Sequence, residues 1–106
     1  MQYTLIVARM DPQDTDRVAD IWAESDATDL PHLVGVQHRR LFQYQGLYFQ
    51  LIGSEERIGD RIEEVRGHEL FQDVNEKLKP HIGAYDPQTW HSPADAMAKE
   101  FYSWNA

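Results

Sequence analysis

Residues 33–54 read LVGVQHRRLFQYQGLYFQLIGS, and this stretch decides the fold class. Apolar and aromatic side chains recur on either side of Gln45-Gly46. Leu33 to Tyr44 and Leu47 to Ile52 are therefore predicted as two strands joined by a tight hairpin turn. Period-two alternation puts Val34, Val36, His38, Arg40 and Phe42 on one face, with Gln37, Arg39 and Leu41 on the other. On the second strand Leu47, Phe49 and Leu51 oppose Tyr48, Gln50 and Ile52. One of Arg39 or Arg40 must then point to the covered side of the sheet.

Outward from the hairpin, the flanks supply the remaining elements. Tyr3 to Arg9 is rich in β-branched and apolar residues and reads as a central strand. Asp11-Pro12 follows as an N-cap with proline at the first helical position. Val18, Ile21, Trp22 and Ser25 recur at helical spacing, and Pro31 closes that segment. Beyond the hairpin, Ser54 with Glu55 and Glu56 opens a second helix, striped by Ile58, Ile62 and Val65. Gly67 interrupts it, and Phe71, Val74 and Leu78 continue an apolar run before Pro80. His81 to Tyr85 is a short last strand. Right-handed crossovers turn this order, βαββαβ, into an α+β, ferredoxin-like fold: a four-stranded antiparallel sheet with two helices on one face. The open sheet face invites a second copy of the chain. Residues 1–106 form one domain, and residues 88–106, carrying Trp90, Phe101, Tyr102 and Trp104, form a tail that docks on its own subunit or its partner.

Composition excludes most kinds of site. The 106-residue chain has no cysteine, so disulfides, thiolate metal sites and a cysteine nucleophile are ruled out. A net charge of −8 argues against nucleic acid, which requires a basic stripe. The five histidines (His32, His38, His68, His81, His91) lack zinc-site spacing, and no phosphate loop or nucleophile elbow occurs. No run is long enough for a membrane span, and Met1 to Met10 has no signal-peptide pattern, so a cytoplasmic protein is expected. The charge is uneven: residues 11–31 hold seven acids against Arg17, whereas residues 32–54 hold none. Strands use few acids in any case, so this contrast has a structural reading as well as a functional one.

Two constellations could carry acid–base or electrostatic chemistry. At about 100° per residue, Ser25 falls within the first helix's apolar stripe and Asp26 at its edge, four residues after Trp22. A carboxylate bordering an apolar ring holds its proton more readily, which suits a proton shuttle. The competing reading, favoured on the residues alone, is that the helix frays there and leaves both residues solvated. In the hairpin, whichever of Arg39 or Arg40 faces inward could stabilise an enolate or phenolate oxygen, or could pair with a helix acid.

Several segments together resemble the tetracenomycin-type aromatic polyketide cyclases of type II pathways. These are Arg9-Met10-Asp11-Pro12, Glu24 to His32 (ESDATDLPH), Gly35-Val36 leading to Arg39-Arg40-Leu41-Phe42, Leu47 to Ile52, His68 to Asn75 (HELFQDVN) and Phe101 to Trp104 (FYSW). They span nearly the whole chain in the family's order. The resemblance implies a homodimeric α+β barrel with a pocket between sheet and helices, and type II polyketide synthase components as candidate partners. It implies a cofactor-free, metal-free aldol-type cyclisation and dehydration of a poly-β-ketone. Asp26 matches a position assigned to proton transfer, and Arg39 becomes the oxyanion partner. Trp22, Ser25, His32, Tyr48 and Gln50 are expected to bind substrate. The family pattern has histidine at the positions of Ser25 and Gln50, so a histidine base there is not available to this chain. Two rival readings share the fold or the pocket: a cofactor-free monooxygenase of anthrone type, and a non-catalytic polyketide-binding protein.

Overall fold

The computed structural model describes residues 1–106. Four strands, β1 (Gln2–Met10), β2 (Val36–Tyr44), β3 (Leu47–Ser54) and β4 (Ile82–Gly83), form one antiparallel sheet in the order β2-β3-β1-β4. Helices α1 (Thr15–Asp26), α2 (Leu30–Val34), α3 (Gly59–Val65) and α4 (Glu69–Leu78) cover one face. This is the expected ferredoxin-like βαββαβ sheet, with α2 added and the second expected helix divided into α3 and α4. No helix is long and apolar enough to cross a membrane.

The hairpin turn forms as its residues dictate: Gln45 and Gly46 take φ of 49° and 82°, the left-handed pair that matches strand twist. Strict alternation fails earlier in β2. The register shifts between Val36, opposite Ser54, and His38, opposite Gly53, so Gln37 is an extra residue in a β-bulge. Val36 and Arg39 therefore share the helix-covered face, whereas unbroken alternation put Val36 with Arg40. Arg40 is exposed.

Other boundaries also move. Pro31 does not close α1, which ends at Asp26; it occupies the first turn of α2, so Leu33 and Val34 are helical and β2 begins at Val36. Gly35 stops α2 at φ 88° and donates its N–H to the Pro31 carbonyl. Ser54 belongs to β3, opposite Gln2 and Val36, and α3 starts only at Gly59. The last strand shrinks to Ile82–Gly83, paired with Met10 and Arg9.

The core lies between the helices and the inner sheet face, around Ile21, Ile52, Ile58, Ile62 and Val74. On α1 the spacing of Val18, Ile21 and Ser25 buries one stripe, and Lys77 of α4 pairs with Glu24 of α1 at 3.1 Å. The last segment crosses to the free edge of β1, where Ala98 N–H donates to the Leu5 carbonyl at 2.7 Å. Beyond it Phe101, Tyr102 and Trp104 are exposed on this chain.

Gly35→Ala should destabilise the protein by about 1 kcal/mol, because its φ lies where a Cβ is penalised. A lower urea midpoint at unchanged slope would register it; an unchanged midpoint would show that α2 ends otherwise.

Candidate active site

Between the sheet and the helices lies a cavity of about 340 Å3, within the range of small-molecule sites. Sixteen of its 23 lining residues are hydrophobic. The charged ones are Arg39, Arg66 and Lys79, and no carboxylate lines it. Acids dominate the chain, so this wall is electrostatically unlike the rest of the molecule.

Arg39 is the centre of the polar wall. Its side chain is 10% exposed, and each of its three guanidinium nitrogens has a protein partner. Nε donates to Asp26 Oδ1 and Oδ2 at 3.1 and 3.0 Å, and Nη2 donates to Asp26 Oδ1 at 2.9 Å. Nη1 donates to Gln50 Oε1. The plane rests on the Trp22 ring, 3.9 Å from its centroid. A charge this far out of water is tolerated because its partners replace solvent.

Local helix geometry explains the clamp. Trp22 and Asp26 are four residues apart on α1, about 40° from alignment at 100° per residue. They form an edge beside the Val18–Ile21–Ser25 stripe. Helix α1 runs unfrayed to Asp26, against the solvated end favoured on the residues alone. The ring carries the guanidinium rather than bordering the carboxylate, and Asp26 stands behind Arg39 with 36% of its side chain exposed.

Of the residues expected to meet substrate, Trp22, Arg39, Tyr48 and Gln50 line the cavity. Asp26, Ser25 and His32 do not. Ser25 is buried with the stripe that faces α4 and borders a separate recess with Thr28, Asp73 and Lys77. His32 is exposed, because Leu30 and Val34 take the buried face of α2 and His32 falls opposite them. Sequence reading missed Arg66, Asn75, Lys79 and Trp90, which also line the cavity. The stripe of Phe71, Val74 and Leu78 pointed to that wall of α4, but nothing local brings Trp90 to it.

Tyr48 sits on the floor, 3% exposed, and its hydroxyl accepts from Trp22 Nε1 at 3.1 Å. Burial pushes its pKa up to about 12, against smaller opposing effects of the Trp22 hydrogen bond and the Arg39 charge. The folded protein thus resists ionising Tyr48 while the unfolded chain ionises it near 10. Stability from this group is complete below pH 10 and is lost as pH rises toward 12, by about 2–3 kcal/mol at most. Urea unfolding between pH 9 and about 12 should show this fall in the wild type and a shallower one in Tyr48→Phe. Equal slopes would mean the phenol is solvated.

Comparison with known proteins agrees with this architecture. The polyketide synthesis cyclase family model matches residues 2–105. Tetracenomycin F2 cyclase of Streptomyces glaucescens is 43% identical over 96% of this chain and 93% of its own length. Polyketide synthase CurG of Streptomyces cyaneus is 44% identical over 98% and 97%. The solved structure of the S. glaucescens cyclase superposes with a TM-score of 0.94 at 42% identity, covering 100% of this chain and 99% of that one. A solved structure named antibiotic biosynthesis monooxygenase, 15% identical with a TM-score of 0.51 over 76% of this chain and 86% of its own, shares the fold alone. From the match over residues 2–105 and from these relatives, the chain belongs to the polyketide synthesis cyclase family.

Proposed function

We propose that this polyketide cyclase closes a ring in a type II polyketide intermediate by a cofactor-free aldol reaction followed by loss of water, with Arg39 as the oxyanion partner. The observation that carries this reading is a fixed guanidinium, 10% exposed, facing an apolar cavity without a carboxylate in its lining. A methylene between two carbonyls is already acidic, so the protein has two tasks: to hold one conformation of a flexible chain, and to stabilise the enolate or alkoxide that forms. Orientation contributes several kcal/mol of the barrier, and a preorganised cation in a dry site contributes a further share. One hydrogen on each of Nη1 and Nη2 is left without a protein partner and supplies that contact.

In this proposal Asp26 acts through Arg39. Its carboxylate orients the guanidinium, while Trp22 and Gln50 hold the other two sides. Gln50 replaces the family histidine with an uncharged amide, which fits a site that positions substrate more than it exchanges protons with it. Ser25 and His32, outside the cavity lining, have no contact with substrate in this scheme.

The assembly proposed is a homodimer through the uncovered sheet face. Tyr3, Phe42 and Tyr44 stand exposed there, beside Phe49 and Leu51, and only 16 of 106 residues are buried in the single chain. The exposed aromatics beyond Ala98 would then dock on the partner. A cytoplasmic setting belongs to the same proposal, as do synthase components as partners.

On a poly-β-ketone delivered by a reconstituted minimal synthase, Arg39→Ala should slow ring closure about 100- to 1,000-fold, and Asp26→Asn about tenfold, with no oxygen consumed. Unchanged rate and regiochemistry in both variants, or stoichiometric oxygen uptake, would refute the reading. Sedimentation should give twice the 12.4 kDa chain mass, and Phe42→Asp should shift it to the monomer; a monomeric wild type would exclude the dimer.

A further inference from the structure

Tyr48 lies in the middle of the sheet, between Ala8 of β1 and Gln43 of β2, and its ring lines the cavity floor. Its hydrogen bonding is one-sided. An indole N–H can only donate, so in the contact with Trp22 Nε1 the Tyr48 oxygen is the acceptor. The hydroxyl's own hydrogen meets no acceptor in the protein, although Tyr48 is 3% exposed. Gln50 shows the same polarity: its Oε1 is taken by Arg39, its amide nitrogen has no protein partner, and the residue is 5% exposed. No side-chain nitrogen or oxygen of the protein is both fully enclosed and unpartnered, so that amide nitrogen opens on the cavity.

Three neighbouring groups therefore present spare hydrogens to one apolar space, the Tyr48 hydroxyl, the Gln50 amide nitrogen and the Arg39 guanidinium, and no carboxylate lines that space to take them. The ligand atom that satisfies such a set is an oxygen that gains negative charge during reaction. We infer that the Tyr48 hydroxyl is a catalytic hydrogen-bond donor, meeting the carbonyl oxygen that is attacked as the ring closes, alongside Arg39. The inference rests on the cyclase reading and deepens it. In the step, the enolate carbon bonds to the carbonyl carbon and the C=O π pair moves onto oxygen. The proton first removed from the methylene returns to that oxygen through solvent. Tyr48 keeps its hydrogen throughout, and the upward push of burial on the phenol helps it do so. The Trp22 N–H fixes the phenol oxygen, which turns its hydrogen away from the indole and toward the cavity.

The test pairs turnover with a spectroscopic probe that does not depend on turnover. Alizarin, a planar hydroxyanthraquinone that changes colour on ionisation, serves as the cavity probe for wild type, Tyr48→Phe and Arg39→Ala. Phenylalanine keeps the ring's packing, and alizarin affinity within about threefold of wild type shows an intact cavity. On the synthase-delivered poly-β-ketone, Tyr48→Phe should lower kcat about 10- to 100-fold with KM changed less than about threefold. The ionisation midpoint of bound alizarin should rise by about one pH unit in Tyr48→Phe, and further in Arg39→Ala. A Tyr48→Phe rate within twofold of wild type, in an enzyme that Arg39→Ala impairs, would overturn the inference and leave the cyclase reading standing. An alizarin midpoint unmoved by Tyr48→Phe would also overturn it. A wild type that closes no ring would instead overturn the cyclase reading, and the alizarin titration would still decide whether Tyr48 donates into the cavity.

Discussion

A guanidinium held out of water is the constraint on which the rest of this site depends. Arg39 keeps its charge at 10% exposure only because three kinds of partner replace solvent: the Asp26 carboxylate, the Gln50 amide oxygen and the face of Trp22. Each partner comes from a different demand on the fold. Trp22 and Asp26 require α1 to stay helical to its last turn, and Gln50 requires the β2–β3 register. Arg39 takes its side from that same register, opposite Ile52, and the bulge at Gln37 brings Val36 to the cavity face beside it. The polar wall is thus a product of packing, and no single element contains it.

That explains which parts were legible in the sequence. The Gln45-Gly46 turn, the β1 run and the stripes of α1 and α4 are local patterns, and they form where their periodicity places them. The bulge leaves no local mark, since Gln37 looks like any outward-facing strand residue. Pro31 suits a helix start as well as a helix end, so α2 was hidden, and with it the outward turn of His32. Ser54 before two glutamates resembles a helix cap, but pairing with both Gln2 and Val36 claims it for β3. In the site, the four-residue spacing of Trp22 and Asp26 was readable, whereas Arg66, Asn75, Lys79 and Trp90 reach the cavity only through chain topology.

Charge is distributed to the same end. Ten of the 18 acids sit on α1, α3 and α4, where exposed pairs such as Arg66 with Glu63 and Lys79 with Glu76 contribute little to stability. The cavity lining holds Arg39, Arg66 and Lys79 and no carboxylate. A chain with net charge −8 thereby offers an environment suited to an electron-rich, enolisable ligand. The uncovered sheet face, with Phe42 and Tyr44 in the open, supplies the apolar surface through which a 106-residue chain would complete its core.

The central claim is that Asp26 works through Arg39 and not independently of it. A double-mutant cycle on the ring-closure rate, using Asp26→Asn, Arg39→Ala and the pair together, tests this most directly. The account predicts that the double variant is no slower than Arg39→Ala alone, within about twofold. Multiplied losses in the double variant would contradict it, and would make Asp26 a separate participant in the chemistry.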